Sequence, residues 1–205
     1  VRTIPAGRFN QLIEVATKIF VARGYRLTQM SDVAEALGVA KGTLYGYVES
    51  KEALFDAAVR FADDPGAAPE PGALPLPTPA AGSTVQYVQN RLTQEARELK
   101  VVQALSLPKG TRAKADEFEH IVRDLYRRMS RNRRALKLVD RCAIDHPELA
   151  SVWFEQGRYG QVALLAAYLE KHIAKGRLRA VPNVQLAARM VLETIALWAI
   201  HMPWD

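Results

Sequence analysis

Residues 28–51, T-Q-M-S-D-V-A-E-A-L-G-V-A-K-G-T-L-Y-G-Y-V-E-S-K, leave the chain few folds to choose from. Met30, Val33, Ala34 and Leu37 fall on one helical stripe, and Thr28 stands where a hydroxyl would cap the helix. Gly38 supplies a left-handed backbone that stops this helix at no steric cost. Val39 turns inward, and a second short helix runs from Lys41 to Val48, anchored by Leu44 and Val48. Its other side carries Lys41, Gly42, Thr43, Tyr45 and Tyr47, groups that are small or form hydrogen bonds. Two helices joined by a glycine turn, the second with a donor-rich outer face, make a helix-turn-helix, which lays a helix in the DNA major groove.

The flanks fit that reading. Residues 8–23 repeat Phe9, Leu12, Ile13, Ala16, Ile19 and Phe20 at three- and four-residue steps, and Gly24 ends the run. Ser50 caps a further helix whose Leu54, Phe55, Ala58, Val59 and Ala62 share one side. Residues 1–62 thus form a helical DNA-binding domain. Residues 63–82 then break the pattern with prolines at 65, 69, 71, 75, 77 and 79, which remove donors and forbid helix. The stretch is a linker or loop, either extended or disordered, and Leu74 and Leu76 are the residues that could tack it to a surface.

Residues 83–205 read as helices again: 84–100, 113–130, 131–145, 147–173 and 184–202, with Pro108-Lys109-Gly110 as punctuation. Gly157 and Gly160 interrupt the fourth of these, for a bend or for close packing. V-A-L-L-A-A-Y-L (162–169) and L-A-A-R-M-V-L-E-T-I-A-L-W-A-I (186–200) are apolar around most of their circumference. A helix apolar all round is buried all round, so one face needs its own core and the other a second chain. Residues 147–202 are therefore the expected homodimer interface, against the alternative of a helix buried within its own domain. The fold class is all-α, an N-terminal helix-turn-helix domain followed by a helical ligand-binding and dimerisation domain.

Charge is a weaker guide. The chain has net charge +6, but residues 91–141 hold 14 Lys/Arg against 7 Asp/Glu, outside the helix-turn-helix. The basic run at 127–141 is a solvated helix face, an acidic-ligand site or a second nucleic-acid patch. A single cysteine, Cys142, rules out an internal disulfide and fits a cytoplasmic setting. No uninterrupted apolar run approaches twenty residues, so no membrane span is expected. The sequence contains no glycine-rich phosphate loop, nucleophile elbow, zinc-protease motif or cysteine cluster, so neither an enzyme nor a bound cofactor or metal is expected. His120, His146, His172 and His201 are scattered, and Cys142 with His146 makes only half a metal site.

Gly24-Tyr25, Thr28, V-A-E-A-L-G-V (33–39), K-G-T-L-Y-G-Y-V (41–48) and S-K-E-A-L (50–54) together resemble the N-terminal domain of the TetR family of bacterial repressors. The resemblance implies a homodimeric, ligand-responsive repressor on an inverted-repeat operator. It further implies that the Thr28 hydroxyl meets a phosphate, that Lys41 reaches a base edge or phosphate, and that Gly42 lets the backbone approach DNA. Thr43 would read bases, and Tyr45, Tyr47 and Lys51 would hold phosphates. Ala40, Gly46, Tyr47 and Val48 depart from the family pattern, where Ser, an aromatic, His and Phe are common, and imply either fewer phosphate contacts or an operator approached more closely. A small-molecule effector would enter the C-terminal half, where Phe118, Trp153 and Phe154 either line a cavity or are plain core.

Overall fold

Helix boundaries follow the caps that the sequence supplies. A computed structural model describes residues 6–64, 69, 73–108 and 116–202. In order the helices are α1 (Ala6–Leu27), α2 (Met30–Leu37), α3 (Lys41–Leu44), α4 (Lys51–Phe61), α5 (Ser83–Arg97) and α6 (Lys100–Ser106). After these come α7 (Glu117–Arg131), α8 (Arg133–Ala143), α9 (Pro147–Ala150), α10 (Gly160–Ile173) and α11 (Val184–Ala196). Wide π-type turns at Ser151–Tyr159 join α9 to α10, and Leu197–His201 extends α11 in the same way. Among the described residues there is no β-strand, which makes the class all-α.

The chain divides into two compact units, one of Val1–Gln86 with Asn132–Leu149 and one of Tyr87–Arg131 with Ala150–Asp205. The division falls inside α5, and α8 joins the N-terminal helices.

In the first unit, α1 buries Phe9, Leu12, Ile13, Ala16 and Phe20 against Leu54, Phe55, Ala58 and Val59 of α4 and Leu138, Val139 and Cys142 of α8. The apolar stripe of α8 is what takes it there, since Leu138 and Cys142 are fully buried. Asp63 fixes the near end, accepting the N–H groups of Arg134 at 3.0 Å and Ala135 at 2.7 Å, orphan donors at the start of α8.

The second unit packs Leu99, Val101 and Ala104 with Ile121 and Leu125 of α7, Leu165, Ala166, Tyr168 and Leu169 of α10, and Ala188, Leu192 and Ile195 of α11. The predicted 84–100 helix breaks at Leu99, whose extended backbone starts the separate α6. Close packing is the reason for Gly157: a Cβ there would lie 3.3 Å from Leu92 Cδ1. Gly176 (φ 66°) follows α10, and Asn183 caps α11 by accepting the Leu186 N–H at 2.9 Å. Residues 109, 110 and 113–115, named in the loop and in the start of the 113–130 helix, lie outside the described residues.

Val184–His201 is long and apolar enough to cross a membrane by length and composition, and only 28% of it is buried in its unit. The expectation that no segment could span is corrected to that extent, because Arg189 and Glu193 interrupt the run without lowering its mean enough.

Candidate nucleic-acid interface

The reader is built on two glycines of positive φ. Gly24 (φ 81°, ψ 170°) breaks α1, turning the chain toward α2. A Cβ at Gly24 would sit 2.7 Å from Asp145 Oδ2 and 3.0 Å from an Arg141 guanidinium nitrogen. Gly38 (φ 65°, ψ 36°) closes α2, its N–H and that of Val39 both reaching back to α2 carbonyls. The chain then enters α3 through Ala40, which offers no side-chain cap.

α3 is shorter than predicted. Regular helix covers Lys41–Leu44, and the helical turns close less regularly to Val48, with Tyr47 N and Val48 N both bonding Leu44 O. Gly46 accounts for the loss: it has low helix propensity and packs against the Thr43 carbonyl, 3.3 Å from where its Cβ would be. Leu44 and Val48 are fully buried anchors, as their spacing implied. Lys41, Gly42, Thr43 and Tyr45 are exposed together on the opposite side. Nothing lies within 4 Å of a Cβ placed on Gly42, so no contact within the chain requires glycine there.

Three residues expected on that surface face inward. Thr28 is 1% exposed and donates its hydroxyl to Gly24 O at 2.7 Å, so the hydroxyl is not presented to a phosphate. Nor does Thr28 cap α2; Gln29 is the cap residue, its N–H donating to the Asp32 carboxylate at 2.8 Å. Lys51 donates its ammonium to the carbonyls of Tyr25 (3.0 Å) and Thr28 (3.1 Å) and lies 4.4 Å from the Tyr25 ring centroid. It satisfies carbonyls that the Gly24 break leaves open, instead of projecting outward. Tyr47 is 9% exposed and packs into the unit's core.

Two further elements hold the reader in place. Residues 76–78 lie against the end of α3: Leu76 N donates to Tyr47 O at 2.8 Å and Glu49 N donates to Leu76 O at 3.0 Å, around a parallel bridge with Val48. The Pro-Leu-Pro-Thr-Pro run at 75–79 was the available signal, and Leu76 does tack the segment down. The second element is the α8–α9 corner. Asp145 accepts the Arg26 N–H at 3.0 Å, and the His146 ring lies 4.3 Å from the Tyr25 ring and 5.9 Å from that of Phe55. Burial pushes His146 below its ordinary value, the carboxylates of Asp145, Glu148 and Glu52 opposing and the Lys51 ammonium adding to the effect. Burial pushes the Cys142 thiol up to about 12.

In the other unit, Phe118 stacks on Tyr168 at 6.1 Å as part of the core, while Trp153 and Phe154 are half-buried on the wide turns before α10. Tyr168 OH donates to Glu117 at 3.1 Å, and buried His172 lies 3.5 Å from the same carboxylate. Glu117 therefore faces the core, whereas Glu119 pairs with Arg123 on the surface at 2.7 Å. Among the described residues no three His, Cys, Asp or Glu side chains are grouped to hold a metal ion.

This is an all-α protein carrying a helix-turn-helix with an outward donor face. Residues 12–58 match the description "Bacterial regulatory proteins, tetR family", and residues 118–203 match "AefR-like transcriptional repressor, C-terminal domain". The chain belongs to the TetR family of transcriptional regulators. It is 40% identical over 60 residues to the HTH-type transcriptional repressor KstR2 of Rhodococcus jostii (strain RHA1), an alignment spanning 29% of each chain. Its fold is similar to that of "Probable transcriptional regulatory protein RHA5900" (TM-score 0.59, 20% identity, 97% of this chain and 86% of that one). The ketosteroid transcriptional regulator KstR2 of Mycobacterium tuberculosis is also similar in fold (TM-score 0.53, 17% identity, 99% and 85% covered).

Proposed function

We propose that this protein is a DNA-binding transcriptional repressor that binds an inverted-repeat operator as a homodimer and is released by a small molecule. One observation carries the DNA reading. Leu44 and Val48 are fully buried while Lys41, Gly42, Thr43 and Tyr45 stand exposed together, beyond the Gly38 turn. In that arrangement Thr43 and Lys41 are the base-reading candidates, Gly42 is the point of closest backbone approach, and Tyr45 is the phosphate contact. Thr28, Tyr47 and Lys51 serve the same surface from behind, as its supports.

The second copy is argued from α11. Leu186, Met190, Leu197 and Trp198 are 46–63% exposed and recur along the helix and its extension. A membrane is a poor occupant for this face, because Arg189 and Glu193 lie mid-helix and a charged residue there costs about 2.5–3.5 kcal/mol in a bilayer. A two-fold dimer needs a self-complementary apolar patch, and this one fits. The KstR2 alignment spans only 29% of each chain, so it carries no information on the effector. Phe118, Trp153 and Phe154 remain the effector candidates, in the unit that holds all of the net positive charge. A regulator of this kind acts in the bacterial cytoplasm and needs no catalytic group.

Fluorescence anisotropy against DNA flanking its own gene, across a salt series, tests this. The expected result is a sequence-selective complex whose affinity falls steeply with salt, weakened at least tenfold by combined loss of Thr43 and Tyr45 side chains. A wild-type protein that binds this DNA no better than scrambled DNA would refute the reading.

A further inference from the structure

The regular part of α3 is a single helical turn, too short to fix its own direction. The next residues, Tyr45–Glu49, have lost the regular ladder and find partners elsewhere. Tyr47 O accepts the Leu76 N–H at 2.8 Å, and Glu49 N donates to Leu76 O at 3.0 Å. Two residues on, Thr78 N donates to the Glu49 carboxylate at 2.9 Å and the Thr78 hydroxyl bonds the Ser50 hydroxyl at 2.9 Å. Ser50 in turn caps α4, accepting the Ala53 N–H at 3.1 Å. Residues 76–78 therefore clamp the junction between the reader and α4 from outside. Proline on both sides of Leu76, at 75 and 77, stiffens the clamp and leaves Leu76 as the only backbone donor between Leu74 and Thr78.

We infer that Leu76 and Thr78 are positioning residues for DNA recognition: the proline strap holds the C-terminal half of the reader in the backbone geometry that presents Thr43 and Tyr45. This rests on the reading of 41–47 as a DNA surface. It also offsets two departures from the family pattern, since Gly46 loosens α3 and Ala40 leaves its start uncapped. The strap also holds the Glu49 carboxylate, an anion beside a DNA-facing surface, by bonding it to Thr78 N.

The test uses the full chain with Leu76→Pro, which keeps the segment extended and removes the donated N–H, and Leu76→Val, which keeps that N–H. Amide hydrogen exchange and operator anisotropy are read on both. Leu76→Pro is expected to speed exchange from Thr43 through Glu49 and to weaken operator binding about fivefold, a fold-change set by one net hydrogen bond. Binding to scrambled DNA and the melting temperature should hardly move, and Leu76→Val should behave as wild type. Faster exchange confined to Glu49, or operator affinity unchanged in Leu76→Pro, overturns the inference. If the wild type itself selects no operator, the proposed function fails. The strap is then judged by exchange alone, standing if deprotection reaches Thr43 and falling if it stops at Glu49.

Discussion

His146 shows how much a single side chain at a chain corner can hold. Its ring packs against those of Tyr25 and Phe55, and its Nε2 is buried without a hydrogen-bond partner. A cation there would be desolvated and close to the Lys51 ammonium, a cost that the nearby carboxylates of Asp145, Glu148 and Glu52 only partly offset. Because burial holds the folded-state value below the ordinary one, the unfolded chain takes up the proton first as pH falls. Stability is thus fully present above about pH 6.5 and is lost as the pH drops through the folded value. His172, lowered by burial in the other unit, pulls the same way. His146→Phe keeps a ring and removes one titration, so its denaturation midpoint should fall less between pH 7.5 and 5.5 than that of the wild type. A loss equal to the wild type's would show that His146 does not titrate on unfolding.

At the scale of elements, the reader is a surface supported from three sides. Lys51 braces the α1–α2 junction, the strap braces the end of α3, and Asp145 holds Arg26. Lys51→Met keeps most of the stem and removes two charge-assisted bonds that, at a half-buried site, are together worth about 2 kcal/mol. It should lower stability by about 2 kcal/mol in urea denaturation while leaving the salt slope of DNA binding unchanged. A Lys51 in contact with phosphate would do the reverse, reducing the slope by about one with little loss of stability. The helices were legible because a 3.6-residue apolar period survives in each, and Gly38, Ser50 and Asn183 cap as their residue types require. The inward turn of Thr28 and Lys51 was not, since a hydroxyl or ammonium near a helix start reads the same whether it meets a carbonyl or a phosphate. Nor could periodicity show that α8 joins the N-terminal helices, because a stripe says which face is buried and not against what.

The whole molecule divides its charge unevenly. Residues 1–86 and 132–149 hold twelve Lys/Arg against twelve Asp/Glu, so the unit carrying the reader is neutral and the +6 belongs to the other. A neutral reader gains little from long-range attraction to DNA, and one α3 turn offers few contacts. On the proposed homodimer, affinity comes from two readers bound at once, and the α11 face then serves recognition as well as assembly. Met190→Glu with Trp198→Glu places two charges where the apolar face is most exposed, at 63% and 54%. Both side chains lie outside the buried core, so helix content should stay as in the wild type. Light scattering should report the monomer mass at micromolar concentration, and affinity for an inverted-repeat operator should fall more than tenfold, toward that for a single half-site. A variant that remains dimeric would move the interface off this face. One that becomes monomeric yet binds the inverted repeat as before would break the link between assembly and recognition.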